Sequence, residues 1–113
     1  MRVIIAGPRT LHTYETVAKA VRASKFEITR VVSGGARGAD TLGERWAGNN
    51  EIPVSRFLPA YERHGIRAPL MRNTQMAEFA DALIAVWDGD SRGTGHMIRE
   101  ARRFGIPVYI YEI

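Results

Sequence analysis

Val3-Ile4-Ile5-Ala6-Gly7-Pro8-Arg9-Thr10 opens the chain with four consecutive apolar residues followed by a turn. A short unbroken apolar run bounded by Gly and Pro fits a strand covered on both faces, because a strand with one solvated face would alternate. A second such run, Ala82-Leu83-Ile84-Ala85-Val86-Trp87, is the most apolar in the chain. Two strands of this kind need helices on both sides of one sheet, and the segments around them supply these. Tyr14, Val17, Ala18 and Val21 fall at i, i+3, i+4 and i+7, one face of a helix that Thr13 is placed to cap. Ile28 to Val32 reads as the second strand. A second helix from Ala39 to Ala47 buries Leu42 and Trp46, and Gly48-Asn49-Asn50 ends it. Ile52 to Leu58 alternates and carries Pro53, as an edge strand does.

Pro59 to Ala68 shows no period and reads as a loop. Pro69 suits the first turn of a third helix ending near Ala80. Beyond the run at Ala82, Asp88 to Gly93 is a polar loop. Thr94 to Phe104 then forms a fourth helix with Met97, Ala101 and Phe104 on one face, and Gly105 stops it. Val108 to Ile113 is the last strand. Five strands alternating with four helices predict one α/β domain of Rossmann-like type over residues 1–113, a five-stranded, mainly parallel sheet with helices on both faces. The strands at Val3 and Ala82 are expected side by side at its centre.

Composition narrows the function classes. Hydrophobic residues make up 45% of the 113, enough for a core without staples. With no cysteine there is neither a disulfide framework nor a thiolate metal site. The apolar N-terminus is too short for a signal peptide or a membrane span, so the expected location is the cytoplasm, with no membrane partner. The formal net charge is +4, and of the 16 basic residues only Lys19 and Lys25 are lysines. Arginine's planar fork suits phosphate, although the codon bias of a GC-rich genome gives the same excess. No block of basic residues marks a nucleic-acid binder.

In open α/β sheets, ligands bind beyond the carboxyl ends of the strands, and there this sequence is richest in glycine. Strand one ends in Gly7-Pro8-Arg9-Thr10, and strand two in Ser33-Gly34-Gly35-Ala36-Arg37-Gly38-Ala39-Asp40. Strand four ends in Trp87-Asp88-Gly89-Asp90-Ser91-Arg92-Gly93-Thr94. Glycine lets backbone N–H groups approach an anion, and a following helix N-terminus adds its dipole. Tight strand-to-helix turns also use glycine, but three such loops on one sheet edge favour a ligand. The spacing is neither G-x-G-x-x-G nor a G-K-[ST] phosphate loop. Arg72 and Asn73 fall in the early turns of helix three, where a cation opposes the helix dipole. Arg72 is therefore expected to reach toward the strand-four loop. Trp87 either stacks on a base or closes a core strand. His12, His64 and His96 lack metal-ligand spacing, and Asp88 with Asp90 makes no magnesium site by itself. No metal or cofactor is expected.

Read in order, these segments resemble the SLOG superfamily, named from DprA (Smf) and the Lonely Guy phosphoribohydrolases. They look most like its short YspA-related branch of bacteria and phages. Val3 to Thr10 matches an opening strand with a G-[SP]-R turn, and Ser33 to Asp40 is similar to the S-G-x-A-x-G-x-D loop of DprA. Met71-Arg72-Asn73 with Met76, followed by Ala80-Asp81-Ala82 and Leu83-Ile84-Ala85, resembles M-x-x-R-K-x-x-M and A-D-A-F-I-A of the Lonely Guy proteins. Trp87-Asp88-Gly89 through Gly93-Thr94 stands where that family has P-G-G-x-G-T.

The resemblance implies a nucleotide-type ligand site and commonly a homodimer or larger assembly. Exposure of Phe57, Phe79 and Phe104 would favour that assembly too. In the hydrolases of the superfamily, an arginine at the position of Arg72 and a glutamate three residues after the G-T threonine act on an N-glycosidic bond. Here Met97 holds the glutamate position, Asn73 replaces the lysine, and Glu100 lies six residues past Thr94. The sequence therefore points first to binding of a nucleotide-derived phosphate ligand. Second comes N-glycosidic hydrolysis of a nucleoside 5'-monophosphate, and third DprA-like binding of single-stranded DNA. No residue is assigned a catalytic role.

Overall fold

The computed structural model describes residues 1–113. Five strands form one sheet: β1 (Arg2–Ala6), β2 (Arg30–Ser33), β3 (Val54–Arg56), β4 (Ala82–Trp87) and β5 (Val108–Glu112). Every pairing is parallel, in the order β3-β2-β1-β4-β5. The central pair is β1 with β4, in register Val3 with Ala82 and Ile4 with Leu83. This is the adjacency expected from the two unbroken apolar runs. The chain builds outward from β1 to β3, then returns to β1's other side with β4. Strand order therefore reverses between β1 and β4, and a crevice opens there beyond the strands' carboxyl ends.

Helices α1 (Tyr14–Ser24) and α2 (Ala39–Asn49) cover one face, and α4 (Ala68–Phe79) and α5 (Arg92–Arg103) cover the other. Alternate residues of the central strands feed the two layers. Val3, Ile5, Ala82 and Ile84 pack with Val17, Val21 and Ala47. Ile4, Ala6, Leu83 and Ala85 pack with Met76, Ala77, Met97 and Ala101. No helix is long and apolar enough to cross a membrane.

Several details differ from the sequence reading. The segment read as a loop holds a short helix α3 (Tyr61–His64), then a 3-10 turn at Gly65–Arg67. Four residues are too few to show a helical period. Thr13 occupies the N-cap of α1, but its side chain makes no capping bond. Helix α2 buries Ala39, Asp40, Gly43 and Ala47, whereas Leu42 and Trp46 only flank the core. The helix lies so close to the sheet that a Cβ on Gly43 would sit 3.0 Å from Ile5. On α5, Ile98 is buried in place of Phe104, which is 37% exposed at the helix end. Phe57 and Phe79 cover each other, with ring centroids 5.3 Å apart. Besides Phe104, exposed apolar residues cluster in the chain at Leu58, Tyr61, Ile66, Leu70 and Met71.

Close approach also fixes the turn after β1. A Cβ on Gly7 would lie 2.7 Å from that of Ala39 and 2.9 Å from the Val86 carbonyl. Gly48, in contrast, is an exposed residue of α2 with nothing within 4 Å. Gly7→Ala is expected to cost about 1–3 kcal/mol through overpacking. Gly48→Ala is expected to add about 0.5–1 kcal/mol, as alanine does in a helix interior. Urea denaturation of the two variants checks both signs.

Candidate functional site

The β1 turn is docked on the start of α2. The Pro8 carbonyl accepts N–H bonds from Leu11 and Ala39 at 3.3 and 3.1 Å. Gly38, at φ +75°, lets the β2 loop pass this turn, since a Cβ there would meet the Pro8 and Arg9 carbonyls. Within the β2 loop, Ser33 Oγ donates to Glu44 at 2.6 Å and accepts from the Gly35 N–H. Arg56 pairs with the same Glu44 carboxylate from β3. Asp40 Oδ2 accepts the Ala36 N–H at 3.1 Å. In the β4 loop, Asp88 accepts the N–H groups of Asp90 and Ser91, and Trp87 Nε1 donates to the Ser91 carbonyl. Side chains of the β2 and β4 loops thus close on those loops' own backbone.

Helix α4 joins the loops. Arg72 is buried, and its Nη1 donates to the Gly34 carbonyl at 2.6 Å. Its Nε donates to Asn73 Oδ1 at 3.0 Å. Since that oxygen accepts, the Asn73 amide nitrogen is the donor toward His96 Nδ1, 3.1 Å away, and toward the Gly93 carbonyl. Burial lowers the His96 pKa, which favours the neutral ring that can accept this bond. The expectation for Arg72 is thus corrected. It reaches the β2 loop, and Asn73 beside it reaches the β4 loop, because α4 crosses the sheet with the two residues facing opposite sides of the crevice.

A central cleft of about 520 Å³ opens at the reversal of strand order. Of the residues named from the sequence, Gly7, Pro8, Arg9, Thr10, Asp40, Arg72, Asn73, Asp88, Ser91, Gly93 and Thr94 line it. An adjoining cleft of about 270 Å³ takes Gly34, Gly35 and Arg37, and shares Arg9 and Arg72 with the first. Trp87 and Gly89 lie on a third groove of about 430 Å³. Ser33 and Gly38 line none of these clefts and serve the loop framework. Sequence reasoning missed the apolar floor, Ala6, Met76 and Met97. Met76 was legible, because it follows Arg72 at i+4 on the same helix face. It also missed Tyr61 of the second cleft, which lies in the stretch without a period. No group of three or more His, Cys, Asp or Glu gathers as a metal set.

Two charges define the electrostatics. Burial pushes the Asp40 carboxyl up to about 6, partly opposed by the Ala36 N–H and by Arg72. Burial also lowers the Arg72 pKa, with Asp40 opposing. Gly34 separates these groups, and a Cβ there would overlap the guanidinium and approach Asp40 Oδ2 to 2.9 Å. Met97 is buried beneath the central cleft. Glu100 faces away from it, bonded to Thr74 and Arg103, which hold its pKa down to about 2.

Between about pH 4 and pH 6 the folded chain retains a proton on Asp40 that the unfolded chain has released. This contribution favours folding at low pH and is lost as pH rises through about 6. Asp40→Asn, an isostere of the protonated acid, is expected to match the parent's Tm near pH 4. It is expected to exceed that Tm by a growing margin up to about pH 6, then by a constant one. A series of thermal melts across this range checks it, and a constant Tm difference throughout would contradict it.

Comparison with known proteins agrees with this architecture. Residues 1–64 match the family model YAcAr, described as the YspA, cpYpsA-related SLOG family. Over 117 aligned residues the chain is 39% identical to the Gene 61 protein of Mycobacterium phage D29, covering 95% of this chain and 93% of that one. Among solved structures, it is similar to DNA processing protein A (DprA) from Streptococcus pneumoniae, with a TM-score of 0.78 at 18% identity. That match covers 96% of this chain and 49% of the DprA chain, so the protein spans about half of DprA's length and shares its fold. Given the sequence match over most of its length to a phage protein and the family match over its first half, the chain belongs to the YspA-related SLOG family.

Proposed function

We propose that the protein binds a nucleotide-type ligand, with its phosphate in the cleft of Arg9, Arg37 and Arg72 and its nucleoside in the central cleft. One observation carries the reading. Three arginines converge on a cleft whose lining has no carboxylate, and Arg9 and Arg37 have no partner in the chain. Charge-assisted bonds from guanidinium to phosphate are among the strongest polar contacts a protein makes. The central cleft complements this. Asp88 and Asp90 repel phosphate but can accept hydroxyls of a sugar, while Met76, Met97 and Leu70 offer apolar surface to a base. Family membership supports the reading.

A nucleoside monophosphate is expected to raise the Tm, because a ligand of the folded state stabilises it. Arg72→Ala and Arg9→Ala are each expected to weaken binding by about 1.5–3 kcal/mol. Arg45→Ala is the control. This residue stacks on Tyr14 on the outer face of α2, away from the clefts. Equal losses in all three variants would place the site elsewhere.

Asp40 favours a second reading, N-glycosidic hydrolysis. A buried carboxyl titrating near 6 beside a ligand cleft is poised for general acid–base work. Asp88 is less suited, since it is exposed and occupied by two backbone N–H groups. The glutamate position of the hydrolases holds Met97, so the expected outcome is no release of free base from AMP, CMP, GMP or UMP above a buffer control. Multiple-turnover release abolished by Asp40→Asn would put hydrolysis first.

A further inference from the structure

Helix α5 presents Arg92, Gly95, His96 and Arg99 at i, i+3, i+4 and i+7, a single stripe. All four line the third groove together with Trp87. Gly95 is the centre of this surface. A Cβ there would lie 3.4 Å from Trp87 Cζ2 and 3.5 Å from Arg99 Nη1. Gly95 itself is buried, and its missing side chain lets the Trp87 indole and the Arg99 guanidinium lie close against the helix. Trp87 is held in place by the Nε1 bond to the Ser91 carbonyl and is only half-buried. Neither Arg92 nor Arg99 has a salt-bridge or hydrogen-bond partner in the chain.

This groove is continuous with the central cleft, since Leu70, Asp90, Ser91 and Gly93 line both. The central cleft in turn shares Arg9 and Arg72 with the arginine cleft beyond it. The three therefore form one trench along the sheet edge. Each end carries an aromatic ring and arginines without a salt-bridge partner, Tyr61 with Arg9 and Arg37 at one and Trp87 with Arg92 and Arg99 at the other, although Asp90 also borders the Trp87 end. The central cleft between them holds Asp88, and Asp90 lies where that cleft meets the Trp87 groove; both can accept sugar hydroxyls. A mononucleotide with its phosphate in the arginine cleft and its nucleoside in the central cleft leaves the Trp87 end unfilled.

We infer that the Trp87–Arg92–Arg99 groove is a second base-and-phosphate subsite, and that the ligand contains two nucleotide units joined through phosphate. The inference rests on the nucleotide reading above and names its ligand class. The order phosphate, nucleoside, phosphate, base along the trench is that of a 5'-phosphorylated 3',5'-linked dinucleotide, whereas a pyrophosphate-linked dinucleotide would set both phosphates together beside Asp88 and Asp90.

The whole chain is titrated by calorimetry with thymidine 5'-monophosphate, with a pyrophosphate-linked dinucleotide and with 5'-phosphorylated dinucleotide TpT. Phosphorylated TpT is expected to bind about ten-fold or more tighter than the monophosphate, the gain one stacked base provides. A gain confined to the pyrophosphate-linked dinucleotide would overturn this order of sites. Arg99→Ala is expected to bring that ratio close to one. Arg102→Ala, which changes an exposed arginine outside the groove, is expected to keep it. In a Trp46→Phe background Trp87 is the sole indole, and its fluorescence is expected to be quenched by the two-unit ligand. Ratios near one for both two-unit ligands, or an unchanged ratio in Arg99→Ala, overturn the second subsite. Quenching of Trp87 without any binding of the monophosphate would leave the groove standing and overturn the one-phosphate reading.

Discussion

The buried guanidinium of Arg72 is the interaction around which the crevice is organised. A charge removed from water is costly unless its donors are met, and here the partners come from three separate segments. The Gly34 carbonyl belongs to the β2 loop, Asn73 to α4 itself, and the Phe57 carbonyl to the segment after β3, while the Asp40 carboxylate at the start of α2 acts on the guanidinium through its charge without a direct bond. The cost falls unevenly on the pair. Asp40 is the group whose charged form the surroundings disfavour, while an arginine stays cationic at any ordinary pH. A fixed cation beside a titrating acid gives a site whose net charge can change without moving the backbone.

Close packing explains why the loops are so spare. Gly7, Gly34, Gly38 and Gly43 each occupy space that a methyl group would contest. At Gly43 the constraint is helix against sheet, at Gly7 and Gly38 loop against the neighbouring element, and at Gly34 backbone against guanidinium. Gly89, with φ +85° and open space around it, is needed only for its turn. The glycines of this chain thus answer to different demands, and that of Gly34 bears most directly on the crevice.

The apolar runs at Val3 and Ala82 disclosed the parallel sheet because burial on both faces removes alternation, a property local to each strand. The glycine loops disclosed the sheet edge for the same reason. What stayed illegible depended on distant packing. Nothing in Met71-Arg72-Asn73 says which way either side chain turns, because that follows from where α4 crosses the sheet. Tyr61 was hidden by the brevity of its helix. Leu42 and Trp46 looked like core residues from their period alone, yet the tight approach of α2 at Gly43 leaves room only for small side chains.

The pairing of β1 with β4 has a consequence for the growing chain. Val3 waits for Ala82 as its partner, so the inner edge of β1 has no neighbour on that side until most of the chain has been synthesised. The segment emerging first, β1 through β3, holds Ile4 and Val32 without the α4 and α5 residues that cover them. Such sequence-distant contacts are slow to form, and unpaired strand edges invite association with other chains. The crevice between β1 and β4 therefore cannot form until β4 has emerged.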